Sequence, residues 1–199
     1  TATGHELARL NRLLLESIFP DELRASFVIY RVGIGDATYH YKLEDAHDQW
    51  VEDDPLHAVI EIVDNREYNE QLNIDLGVNQ SLQLRAAHGR RPLLRITDAE
   101  RGLVDALLVN GQKGSRFVLD GLLISGRPVM IEGQLAEVII RHCTLVPGWS
   151  LRPNCEPMEP EKYSLLLEKT QADVCIQDSI VGSIQINIDE VQKDPIHVS

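Results

Sequence analysis

Basic residues are scarce in this chain: 19 Lys and Arg stand against 31 Asp and Glu in 199 residues, a formal net charge of -12. Lys and Arg supply the long-range attraction to phosphate, so this balance argues against a nucleic-acid surface or an anionic membrane as partner. A surplus of acid ordinarily serves solubility. Aromatics are scarce too, at 5% of residues with two tryptophans, which leaves little material for ring-stacking platforms. Three unevenly spaced cysteines make neither a disulfide framework nor a zinc pattern. No apolar run approaches membrane-spanning length, so membrane insertion is not expected. The opening TATGHELARL lacks a basic start followed by an apolar stretch, so no signal peptide is read there, although the chain could begin after one. No motif asks for a cofactor.

What the chain does have begins with a helical stripe. Leu7, Leu10, Leu14 and Ile18, widened by Leu13, recur at helical spacing between Gly4 and Phe19. Thr3 with Glu6 can form a capping box, and Pro20 stops the run. A hairpin is expected next: Phe27 to Val32 is rich in strand formers, GIGD can turn, and Tyr39, Tyr41 and Leu43 alternate with polar residues. Gly33-Ile34-Gly35 lacks the third glycine and following helix of a nucleotide loop, so it reads as that turn. Acids then cluster from Glu44 to Asp54 among His40, His47 and His57. The segment reads as a solvated linker. The alternative is a metal site with His40, His47, Asp48 and Asp53 as candidates, although calcium-loop spacing and a two-histidine helical pair are both missing. Residues 1–55 are thus expected to form a helix, a hairpin and an acidic linker, ahead of a second unit over 56–199.

The second unit repeats. Aligning RFVLDGLLISG, EVIIRHCTLVPG and DVCIQDSIVGS superposes Phe117, Val138 and Val174, then Leu119, Ile140 and Ile176, then Ile124, Leu145 and Val181. With Ile196 as the start of a fourth copy, the steps are 21, 36 and 22 residues. The long step is one period plus the turn-rich insertion PGWSLRPNCEPMEPEK. A second strand family, opening at Val129, Leu165 and Ile186, keeps step through the same insertion. A period of about 21 residues is too short for a strand-helix-strand crossover. It suits one coil of three short strands that stacks on its neighbours at roughly 4.8 Å, with alternate side chains filling a continuous interior. Shorter strands are expected earlier, at Val59–Val63, Leu72–Leu76, Leu82–Leu84, Leu93–Ile96 and Ala106–Val109.

With AVIEIVDNREYNEQLNID as an opening coil and VLDGLLISG followed by VIIRHCTLVPG, the stretch from Ala58 to Ser199 resembles right-handed parallel β-helix proteins of the pectate-lyase-like superfamily. The resemblance implies a mainly-β, single-stranded, right-handed parallel solenoid. It does not imply one activity, because this architecture serves lyases, hydrolases, tailspikes and plain spacers. Ile196 to Ser199 would open a fresh coil and leave a bare strand edge. The chain is therefore expected to be a piece of a longer solenoid.

Outward positions of the repeats offer the catalytic candidates. Asp120, Arg141 and Gln177 stack one coil apart, and Gly121, His142 and Asp178 follow them at the turn. Asp120, Arg141, His142 and Asp178 are the catalytic candidates, since polysaccharide-cleaving relatives use such rows as acids and bases. The same rows also read as inter-strand charge ladders. Trp149 in the insertion, with Tyr163 at its end, is the candidate carbohydrate contact, or else Trp149 pins its own loop. Val118, Ile139 and Cys175, with Met130 and Leu166, are apolar on the outside. A strand apolar on both faces has both covered, here by the N-terminal helix, the remainder of a longer chain or another subunit. Cys143 and Cys175 then read as small core residues. Two functions follow: a non-catalytic scaffold or docking module, as in surface or phage-tail-like assemblies, or a carbohydrate-active enzyme with an exposed groove.

Overall fold

The computed structural model describes residues 27–96, 106–148, 152–154 and 156–187. These build three parallel sheets, visited in rotation from the second strand onward. The first sheet holds β1 (Val28–Val32), β2 (His57–Ile62), β5 (Ser81–Ala86), β8 (Arg116–Asp120), β11 (Glu137–Arg141) and β14 (Asp173–Gln177). The second holds β3 (Glu67–Asn69), β6 (Leu93–Ile96), β9 (Leu123–Gly126), β12 (Thr144–Leu145) and β15 (Ile180–Val181). The third holds β4 (Asn73–Leu76), β7 (Leu107–Gly111), β10 (Val129–Gly133), β13 (Tyr163–Thr170) and β16 (Ser183–Asn187). From β2 onward each round of first, second and third sheet is one coil.

The predicted register is the observed one in the first two sheets. Phe117 pairs with Val138 and Val138 with Val174; Asp120, Arg141 and Gln177 fall in one row, as do Ile124, Leu145 and Val181. Both ladders run through the insertion, which leaves the coil after β12 and rejoins at β13. The third sheet departs from the prediction. Leu165 pairs with Ile184 rather than Ile186, after an irregularity between Tyr163 and Leu165. A shift of two residues keeps the same side chains inward, so apolar periodicity cannot detect it.

Alternation supplies the interior. Ala58, Leu82, Phe117, Val138 and Val174 stack across the first sheet and are all fully or almost fully buried. Each of the larger side chains so enclosed, Leu82, Phe117, Val138 and Val174, contributes about 1.5–3 kcal/mol. The corner after the first sheet repeats as well: Gly121, His142 and Asp178 have φ of 76°, 53° and 46°. Only glycine adopts this left-handed bend freely, and Asp and His are among the few other residues enriched there. The bend is locked by Gly121 N–H donating to the Arg141 carbonyl (3.1 Å) and His142 N–H to the Gln177 carbonyl (3.1 Å).

The N-terminal expectations need correcting. There is no hairpin from Phe27 to Leu43: β1 pairs in parallel with β2, from Val28 opposite Ala58 to Val32 opposite Ile62. Residues 33–35 do bend, and the Asp64 carboxylate pins the bend by accepting the Ile34 N–H (3.0 Å). The Tyr39 to Leu43 alternation forms no strand; one bridge joins Val32 and His40. Parallel pairing wins because Tyr30 and Val32 then enter the shared core. The acidic segment is not a linker either. It is α1 (Leu43–Asp53), which buries Leu43, Ala46 and Trp50 in that core and turns its carboxylates to water. Glu70 caps it, accepting the N–H groups of Leu43 (3.2 Å) and Glu44 (2.6 Å), where the helix dipole favours a carboxylate. Tyr30 O–H donates to Asp53 at the far end (2.8 Å). The first sheet therefore runs across the boundary drawn at residue 55. The helix expected over 4–19 and the coil expected from Ile196 lie outside the described residues.

Closure of the first coil by α1 is testable. Trp50→Ala is expected to lower stability by about 3–5 kcal/mol, and Glu70→Gln by about 1 kcal/mol through the weakened cap. Urea midpoints with an unchanged slope check both.

Candidate functional site

The outward face of the first sheet carries three rows, and the candidate residues occupy one edge of it. In register stand Arg31, Glu61, Arg85, Asp120, Arg141 and Gln177. The charges alternate through five strands, a longer ladder than the Asp120–Arg141 pair predicted from sequence. Glu61 binds Arg31 Nε (3.2 Å) and both Nε and a terminal nitrogen of Arg85 (3.0 and 2.8 Å). One oxygen of Asp120 accepts Nε and a terminal nitrogen of Arg141 (3.0 and 2.8 Å) and Gln83 Nε2 (3.4 Å). The same repeat register that aligned Asp120 and Arg141 would have revealed Arg31, Glu61 and Arg85 if carried back to β1.

His142 joins Asp120 to the next coil. Its Nδ1 lies 3.2 Å from the second oxygen of Asp120 and its Nε2 3.8 Å from Asp178. Arg91 fixes the backbone beside it, donating to the His142 carbonyl (3.2 Å) and Thr144 Oγ1 (2.7 Å). The structure thus does bring Asp120, Arg141, His142 and Asp178 together. Their chemistry is constrained, however. Asp120 has both oxygens engaged and Arg141 is 6% exposed, so neither is free to exchange protons with a substrate. An imidazole oriented by a carboxylate, with half its side chain in water, is the one group here with the geometry of a general acid or base.

The middle row is closed from β2 to β11 and open at β1, where Ile29, opposite Val59, is 40% exposed. Val59, Gln83, Val118 and Ile139 point outward yet are 0%, 1%, 2% and 8% exposed. Phe27 and Cys175 pack against Val118 and Ile139. At the row's other side lies a pair that sequence reading missed, His57 and Ser81, buried and 2.7 Å apart. The step from Ala58 to Leu82 would have aligned them. His57 Nε2 has no hydrogen-bond partner and its ring meets Phe27 at 5.6 Å. Burial, then the positive charge of Arg116, holds its pKa below the usual histidine range. A serine beside a histidine is nucleophile chemistry only where substrate can reach it, and both are enclosed.

The remaining candidates disperse. Asp53 is taken by Tyr30 and Gln49, His47 meets Asp48 at 3.5 Å, and His40 faces the Tyr30 ring. No three His, Cys, Asp or Glu side chains among the described residues are arranged to hold a metal ion. Tyr163 opens β13, half-buried, and Trp149 lies outside the described residues. Burial pushes the Cys143 thiol up to about 11, and its Sγ donates to the Arg141 carbonyl, so it is no nucleophile. No helix among the described residues is long and apolar enough to cross a membrane. Comparison of the chain with family models, curated proteins and solved structures returned no match.

Two outcomes follow. Asp120→Ala leaves the Arg141 guanidinium enclosed without its partner and is expected to cost about 3 kcal/mol, whereas Asp178→Asn at the exposed corner should change stability by less than about 0.5 kcal/mol. Denaturant titration separates them. Because the folded pKa of His57 lies below its unfolded value, its contribution is full above about pH 6.5 and declines as pH falls towards the folded pKa. His57→Gln should flatten the stability-pH curve below pH 6.5; a slope equal to that of the parent would show that His57 is not its source.

Proposed function

We propose that this chain is a right-handed parallel β-helix of the pectate-lyase-like kind that acts as a non-catalytic scaffold or docking module of a larger protein or assembly. Three parallel sheets taken in rotation favour that solenoid, and parallel crossovers are right-handed in about 98% of cases. The observation that carries the functional reading is the state of the outer face where the candidate residues lie. Glu61 and Asp120 are spent on arginines and the middle row is buried from Val59 to Ile139, which leaves Asp178 as the one open acid among the catalytic candidates, whereas a carbohydrate groove needs several open acids and accessible rings. Rows apolar on both faces suit a covering partner, either the remainder of a longer chain or another subunit.

The alternative, a polysaccharide lyase or glycoside hydrolase, draws its support from His142. That half-exposed imidazole, held by Asp120 with Asp178 on its other side, is the place where proton transfer to a sugar could occur. Incubating the chain with a panel of acidic and neutral polysaccharides, beside His142→Ala and Asp178→Asn, tests the choice. The scaffold reading expects no product above background from any of the three. Cleavage of one polymer that drops at least about a hundredfold in His142→Ala would establish the enzyme instead.

A further inference from the structure

We propose that Phe27 and the first half of β1 form an acid-released latch on the outer face of the first sheet, closed over neutral His57 and freed when that imidazole takes a proton. Tyr30 to Val32 stay in place as its hinge. The device goes beyond the scaffold reading and would serve a catalytic chain equally, so the polysaccharide assay and the experiment below fail independently.

The surroundings of His57 suit the neutral ring and oppose the charged one. His57, Ser81, Arg116, Glu137 and Asp173 follow one another in register along the outer edge of the sheet. His57 is 4% exposed; Ser81 Oγ satisfies its Nδ1 at 2.7 Å, and its Nε2 has no partner. Phe27 lies against the ring, with 5.6 Å between centroids. Among the described residues, β1 presents Phe27 and Ile29 on this side, β5 Ser81 and Gln83, and β8 Arg116. The charge on these neighbours is a cation, and Glu137 beyond it lies 3.9 Å from that guanidinium. A proton on His57 therefore creates an enclosed N–H that nothing accepts, next to a like charge. Moving Phe27 aside gives it water. β1 is divided where this requires. Val28 and Ile29 are 38% and 40% exposed although they pair with β2. Tyr30 and Val32 are buried, Tyr30 O–H is bonded to Asp53, and His40 holds the Arg31 carbonyl (2.8 Å) and Gly33 N–H (2.9 Å). Phe27 also packs against Val118 and Ile139, so its release loosens the closed part of the middle row. Burial, then Arg116, holds the closed-state pKa of His57 below the usual histidine range. Opening thus takes up a proton and becomes easier as pH falls below about 6.5.

Amide hydrogen exchange in the full chain, corrected for the intrinsic pH dependence of exchange, is compared at about pH 7.5 and about pH 5, on either side of the free histidine pKa. Protection of the amides that join Val28 to β2 is expected to fall about tenfold in acid relative to β10 of the third sheet. In His57→Gln, uncharged at both pH values, the ratio should stay constant. An unchanged ratio in the parent, or the same loss in His57→Gln, would overturn the proposal. Phe27→Ala alters no titrating group and should show the acid level of protection already at the higher pH. Protection equal to the parent's there would overturn Phe27 as the latch.

Discussion

Every feature of this molecule depends on parallel strands pairing in register from one coil to the next. A single coil of three short strands cannot enclose its own apolar side chains; it becomes stable only as its neighbours complete the ladders and the interior. That requirement explains why the corners tolerate so much and the strands so little. A chain can leave after β12 and return at β13 with the rows of the first two sheets still in register, the third sheet taking up an irregularity between Tyr163 and Leu165. A change of parity within a strand, by contrast, would turn Phe117 or Val138 out to water.

The same constraint sets what happens at the end of the stack. Among the described residues no complete coil precedes β2, and the first coil's inner face and strand edge are covered in another way. β1 adds one more strand to the first sheet, and α1 lays Leu43, Ala46 and Trp50 over the core. The acid-rich composition of α1 is then simply its wet side. Asp64 ties the entry turn to the coil by accepting Ile34 N–H, Arg66 N–H and Nε, and Tyr68 O–H. The cost of burying that carboxylate is outweighed by these hydrogen bonds, which hold its pKa below the usual range.

On the outer face, stacking converts charged side chains into structure. Alternating Arg and acid along Arg31, Glu61, Arg85, Asp120 and Arg141 means that each neighbouring strand offers an opposite charge. Enclosed ion pairs add little net stability against apolar replacements. They do oppose a slipped register, since a two-residue slip would set guanidinium groups beside Val59 or Val118. Asp120 is thereby committed to Arg141 and His142, and a residue that looks catalytic as a letter in a row is structural in place.

How much was legible in the sequence differs by feature, for physical reasons. Side-chain alternation and an internal period are local and repeated, so the strands, the rows through Phe117, Val138 and Val174, and the corner at Gly121, His142 and Asp178 could be read directly. The period of two hid the offset at Ile184, because parity alone was visible. The hairpin failed because alternation around Tyr39 and Tyr41 says that a face is polar and not which strand it meets. The helix at Leu43, Ala46 and Trp50 was masked by the acids on its other side, though its i, i+3, i+7 spacing was present. The amino-acid sequence by itself determined the coil period and which side chains turn inward, since both follow from backbone geometry repeated many times. Only the tertiary structure decided that β1 joins the first sheet, that Glu70 caps α1, and that Asp120 and Arg141 are enclosed. Those outcomes rest on contacts between residues distant in the chain, chosen by how much apolar surface and charge each arrangement leaves uncovered.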